Sequence, residues 1–116
     1  MKKEMLVVVI VLNDLSYMDD ILEVFVRLAV RGATIVDSYG MAKALRESDS
    51  LNYLMKGPID RAVPEKAEES KTIFSVIEKT QAEFVIKTVD NLLKDSKNEA
   101  TGFIFSIPVY GINPIK

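Results

Sequence analysis

Residues 31–43, Arg-Gly-Ala-Thr-Ile-Val-Asp-Ser-Tyr-Gly-Met-Ala-Lys, hold the point where a scaffold becomes something with a site. Gly32 follows an amphipathic segment ending Arg27-Leu28-Ala29-Val30-Arg31. A glycine there suits a helix C-terminus, because the left-handed conformation costs a residue without Cβ almost nothing. Residues 33–39 read as a strand centred on Ile35 and Val36. At Gly40 the chain leaves that strand for a long polar segment lasting until about Lys71. A small ligand is expected where strand hands over to segment.

Working outward, residues 6–12 are β-branched at five consecutive positions, which favours a buried strand. Asn13-Asp14-Leu15-Ser16 breaks it. Ser16 with Asp19 three residues later resembles a capping box, so helix one is expected to start near Tyr17. Met18, Ile21, Leu22, Phe25, Leu28 and Ala29 fall on one stripe at helical spacing. Downstream, Leu45, Leu51, Leu54 and Met55 suggest a turn or two of helix beginning near Ser48 or Ser50 and ending at Gly57-Pro58. Residues 61–70 read as a mobile loop, and so long a loop in a small domain is usually functional or disordered. Residues 72–78 form the third predicted strand. Thr80 and Glu83 make a capping box that starts helix two near Gln81. Phe84, Val85, Thr88, Val89, Leu92 and Leu93 are its expected inward stripe. Residues 102–108 are the fourth strand, ended by Pro108 at or beyond a sheet edge. The tail, 109–116, is expected to add a little edge structure.

The order β-α-β, long loop, β-α-β predicts an α+β, ferredoxin-like βαββαβ sandwich in a single domain. Right-handed crossovers place both helices on one face of a four-stranded antiparallel sheet. The other face is the difficulty. Strand one is apolar on both faces, and strand four sets Phe103, Phe105 and Ile107 against Ile104 with only Ser106 polar. A wetted antiparallel face should alternate. Covering about six such side chains at roughly 1.5–3 kcal/mol each is worth on the order of 10 kcal/mol, enough to meet the cost of association. The sequence therefore predicts a homo-oligomer with its open faces packed together. The alternative is that the middle segment or the tail folds over that face.

The chain has 116 residues, 48% hydrophobic and 28% charged, with a formal net charge of -2. That balance supports a core and argues against a broad phosphate-binding footprint, so no nucleic-acid partner is expected. It has no cysteine and no histidine, which removes thiolate metal sites, a thiol nucleophile and the commonest general base. The apolar run after Met-Lys-Lys-Glu-Met is seven residues long, at the short limit for a signal core and far too short to span a bilayer. A cytoplasmic location without membrane insertion is expected.

With the halves laid out, the sequence resembles the PII-like superfamily of nitrogen-regulatory signalling proteins, in a divergent branch. The likeness lies in residues 15–40, where the opening of helix one leads to Val30-Arg31-Gly32-Ala33-Thr34-Ile35, similar to the family's G-[IV]-R-G-[MA]-T-V. Phe105-Ser106-Ile107-Pro108-Val109 resembles its F-V-L-P-V last strand. The resemblance implies a trimer whose sheets line a central barrel. It implies an adenine nucleotide or other small-molecule effector between subunits, and a central loop that signals to a partner such as a membrane transporter or an enzyme. By position, Gly32, Ala33 and Thr34 would touch the ligand from one subunit, while Gly40, Met41, Ala42 and Lys43 would form the loop root of the other. Ala100-Thr101-Gly102-Phe103 stands where the family has G-D-G-K, so Thr101 and Gly102 join the candidate set. The arginines after the last strand are missing. Lys43 and Lys116 are the cations left for a phosphate, which points to a ligand less charged than a triphosphate, or to none.

Each candidate has a plainer reading. Lys43 serves as a solvated lysine, Thr34 as a satisfied edge hydroxyl, and Tyr53 as a packing residue rather than a modified one. The acidic run 65–69 reads as a solvated loop that would hold Mg²⁺ only if a turn joined two carboxylates. An acylphosphatase-like enzyme needs a glycine-rich turn with arginine after strand one, which Asn13-Asp14-Leu15-Ser16 does not supply. RNA recognition would use Phe74 and Phe105, which lack flanking basic residues. The residues favour a sensor that is not an enzyme, with a ligand-free oligomeric interaction module as the alternative.

Overall fold

A computed structural model describes residues 3–55, 69–97 and 101–115. The elements run β1 (Met5–Leu12), a 3₁₀ turn (Leu15–Tyr17), α1 (Met18–Arg27), β2 (Thr34–Tyr39), α2 (Met41–Glu47), a second 3₁₀ turn (Asn52–Met55), β3 (Glu69–Glu78), α3 (Lys79–Lys94) and β4 (Gly102–Pro108). The sheet order is β2-β3-β1-β4 with every neighbouring pair antiparallel. This is the expected ferredoxin-like arrangement, with one short helix added in the central segment.

The core follows from strand parity. Val8, Ile10 and Leu12 of β1 and Ile73 and Ile77 of β3 point to one face, where Ile21 and Phe25 of α1 and Ala82, Val85 and Val89 of α3 cover them. All ten are buried. The opposite face stays open. Register sets Phe105, Val9, Phe74 and Thr34 in one row across it, Ile107, Val7 and Val76 in the next, and Phe103, Val11, Thr72 and Val36 on the other side. Phe74, Val76, Phe103, Phe105, Ile107 and Val36 are exposed there. Neither the tail nor any other described segment covers them.

Several local expectations need correcting. Helix one ends at Arg27 in a Schellman arrangement: Val30 N–H donates to Phe25 O at 2.9 Å and Ala29 N–H to Val26 O at 3.1 Å. The left-handed residue is Ala29, with φ 58°, and not Gly32. Ser16 does not cap α1. Asp14 Oδ1 instead accepts from Ser16 N–H at 3.1 Å and caps the preceding 3₁₀ turn. Helix α3 starts at Lys79, before Thr80, with Glu78 as N-cap and no side-chain cap bond. The continuous turn of β3 into α3 leaves the Thr80 box inside the helix. Of its expected inward stripe Val85 and Val89 are buried and Leu92 and Leu93 pack against the core, joined by Ala82, whereas Phe84 is 69% exposed and Thr88 is exposed, its hydroxyl bonded to Phe84 O.

The central segment also differs. Met41–Glu47 is helical, where a loop was expected, and the segment from Leu51 forms only a 3₁₀ turn. β3 begins at Glu69, three residues earlier than predicted, because Tyr39, Ser38 and Asp37 of β2 pair with Glu69, Ser70 and Lys71. Tyr53, expected to pack, is exposed. Beyond Pro108 the tail adds no strand among the described residues. The expected helix end at Gly57-Pro58, loop residues 61–68 and Lys116 lie outside the described residues.

Candidate functional site

The nine residues singled out from sequence fall in three places. Gly32, Ala33 and Thr34 lead into β2 at one end of the sheet. Gly40, Met41, Ala42 and Lys43 lie beyond its other end, a strand length of roughly 20 Å away. Thr101 and Gly102 sit at that second end too, since Gly102 pairs with Leu12, Leu12 with Lys71, and Lys71 with Asp37. They are on the opposite sheet edge, about 14 Å across three strand spacings. One protomer does not bring the three groups together.

The loop root is built by the handover from β2 to α2. Gly40 is the N-cap of α2 with extended backbone and no side-chain cap bond. Ala42 is buried, anchoring the helix, while Met41 is exposed. Lys43 Nζ lies 3.4 Å from Glu69 Oε1 and 5.4 Å above the centre of the Tyr39 ring. Its ammonium is thus held against the residue where the central segment re-enters the sheet. Next to it, Lys71 Nζ is 2.6 Å from Asp37 Oδ1. That hydrogen bond, and then the ammonium charge, hold the Asp37 carboxyl below its ordinary range. On the other face Ser38 Oγ shares hydrogen bonds with Ser70 Oγ at 2.7 Å and Thr72 Oγ1 at 2.9 Å. Alternation along β2 separates Asp37 and Tyr39 from Ser38 as strand geometry requires.

Thr101 and Gly102 have structural tasks. Thr101 is buried, its hydroxyl bonds Ser96 Oγ at 2.6 Å, and its carbonyl accepts from Asn13 N–H at 2.8 Å and Asp14 N–H at 3.1 Å. These bonds also occupy the amides an anion would need after β1, so that loop offers no acylphosphatase-like cradle. At Gly102 an added Cβ would run into the Val11 carbonyl oxygen.

The first group borders a true concavity. A cleft of about 520 Å³ at the pole where β1 begins and β3 ends is lined by Met5, Val30, Arg31, Gly32, Val76 and Glu78, among others. Ser75 Oγ donates to Gly32 O and Gln81 Nε2 to Leu28 O, each at 2.5 Å, fixing the loop that forms one wall. Sequence reasoning passed over Arg31 and Gln81. Arg31 was visible beside Gly32, but Gln81 acts across a tertiary contact that no local pattern announces. Among the described residues no group of three or more acidic, cysteine or histidine side chains could hold a metal ion, and no helix is long and apolar enough to cross a membrane.

The sequence matches no protein-family model and no curated protein. Solved structures match well. CPII, a nitrogen regulatory PII-like protein from Thiomonas intermedia bound to ADP, AMP and bicarbonate, superposes with a TM-score of 0.63 at 14% identity, covering 97% of each chain. The ATP complex of Bacillus subtilis GlnK gives 0.61 at 16%, covering 91% of this chain and 83% of that one. A DUF3240 family protein from Shewanella baltica gives 0.61 at 16% over the full length of both. The fold of this chain, anticipated from residues 15–40 and 105–109, is that of the PII-like proteins.

Proposed function

We propose that this chain is a divergent PII-like regulatory protein, cytoplasmic and not an enzyme, acting as a homo-oligomer, most simply a trimer. The observation that carries the reading is the open sheet face. It presents valines, phenylalanines and Ile107, with hydroxyls at one corner and no lysine or arginine among its described residues. Such a face has nothing to offer a phosphate backbone and a great deal to offer a second copy of itself. In this reading Gly32, Ala33 and Thr34 of one subunit are set against the groups of another at Gly40–Lys43 and Thr101–Gly102, which requires opposite ends of neighbouring sheets to meet. A small effector, with an adenine nucleotide the first choice given the ligands of CPII and GlnK, would sit between them. Lys43 is the contact for its anionic group and exchanges Glu69 for the ligand. Glu69 then frees the base of the central segment, which relays the change to a partner such as a membrane transporter or an enzyme.

The second reading, an oligomeric interaction module without a ligand, is favoured by Lys43 being already paired and by Thr101 and Gly102 having structural tasks. Titrating the assembled protein with AMP, ADP and ATP while following thermal stability separates the two. Saturable stabilisation that Lys43→Ala weakens supports the sensor; a flat response to all three leaves the module.

A further inference from the structure

Gly32 is a glycine that its own protomer does not require. Its φ is not positive, so no left-handed turn demands it. A Cβ built there meets no atom within 4 Å, so no close packing demands it either. The contact it does make, Ser75 Oγ donating to Gly32 O, uses a carbonyl that every residue carries. Yet Gly32 lies on the wall of the 520 Å³ cleft. A missing side chain at that place leaves room for a ligand to approach bare backbone.

Charge on the cleft wall says what kind of ligand. Lys3, Arg31 and Glu78 all line it. Lys3 Nζ lies 2.9 Å from Glu78 Oε1, so those two charges offset each other. Arg31 has no ion-pair or hydrogen-bond partner for its side chain among the described residues. The cleft is left with one unbalanced positive charge. The loop that carries it is anchored on both sides: Val30 N–H donates to Phe25 O at 2.9 Å before Arg31, and Ser75 holds Gly32 after it. A backbone fixed in advance spares a ligand the cost of ordering it. Met5, Val30, Val76 and Ile77 supply an apolar wall. Apolar wall, a few polar groups and a volume of several hundred Å³ are the features of a small-molecule site. A single guanidinium fits a single carboxylate, whose two oxygens its fork can take together. A triphosphate would bring more negative charge than Arg31 answers, and bring it beside Glu78.

We propose that the Gly32 cleft binds a small monocarboxylate with an apolar body. Arg31 takes the carboxylate, the bare backbone at Gly32 lets the ligand lie close, and Met5, Val30 and Val76 cover its body. This site is complete in one subunit, so it goes beyond the intersubunit reading above, with which it shares Gly32. Isothermal titration with benzoate, benzamide and inorganic phosphate tests it. Benzoate is expected to bind saturably with a Kd of about 1 mM, ordinary for so small a ligand. Benzamide, the same ring without the charge, is expected to bind roughly tenfold more weakly or worse, and Arg31→Gln to weaken benzoate by a similar factor. Gly32→Val, which fills the open space, is expected to abolish benzoate binding with circular dichroism unchanged. Lys87→Gln, which removes an exposed cation on α3, leaves binding as it was. Three results overturn the proposal: no benzoate binding, equal binding of benzoate and benzamide, or equal binding by wild type and Arg31→Gln. Phosphate binding without benzoate binding overturns it too, because the apolar wall then has no part. Any of these, with nucleotide stabilisation still weakened by Lys43→Ala, leaves the intersubunit sensor standing.

Discussion

Phe103 and Phe105 stack on the uncovered face of the sheet, their ring centroids 6.0 Å apart and their planes 20° from parallel. Two residues apart on β4, they share one face, and register carries the surface on through Val9 to Phe74. Nothing described in the protomer shields this row from water. Phe105→Lys places a charge in its middle and is expected to convert the proposed oligomer to a monomer while leaving far-ultraviolet circular dichroism unchanged. Sedimentation velocity at micromolar concentration checks this, and an unaltered oligomer would show that the face is not the interface.

Gly102 is fixed by contact with backbone. A Cβ there meets the Val11 carbonyl oxygen and lies 3.3 Å from Leu12 Cα, neither of which belongs to a flexible side chain. Gly102→Ala should therefore cost roughly 1–3 kcal/mol, the usual penalty for overpacking a closed site. Urea denaturation of the variant measures it. A loss confined to ligand response, with stability intact, would instead give Gly102 a role in binding.

Ala29 offers the opposite sign. Its φ of 58° terminates α1 in a conformation that costs an L-residue roughly 1–2 kcal/mol. Glycine removes that cost and gives back part of it as chain entropy. Ala29→Gly is expected to raise stability by about 0.5–1 kcal/mol, visible as a melting temperature a few degrees higher. Gly32→Ala, with no atom within 4 Å of the added Cβ, should change stability little.

Asp37 should titrate below an ordinary aspartate because Lys71 hydrogen-bonds it and stands beside it as a charge. A depressed carboxylate stabilises the fold above the unfolded-state value, about 3.9, and loses that contribution as pH falls through the folded-state value. The pair is exposed and cross-strand, so salt should weaken it. Lys71→Met is expected to move the Asp37 titration upward, observed at the side-chain carboxyl carbon by NMR. An unchanged midpoint would mean that the pair does not persist in solution.

What local pattern determines, the sequence by itself determined. Runs of β-branched residues marked β1 and the centre of β2, periodicity marked α1, and the double-sided apolarity of strands one and four announced an uncovered face. Those features depend on side-chain type at fixed spacing along the chain, so they survive without knowledge of neighbours. Pairing and packing decided the rest. Glu69 joined β3 because Tyr39 stands opposite it. Phe84 turned outward because Ala82, Val85 and Val89 pack into the core and so set the rotation of α3, and Ala29 rather than Gly32 took the left-handed turn because Val30 and Ala29 bond back to α1. The cleft beside Gly32 exists because Gln81 and Ser75 hold the loop from another element. Such outcomes depend on register between distant segments, where a shift of one residue exchanges one face for the other, and no spacing within a single segment encodes that choice.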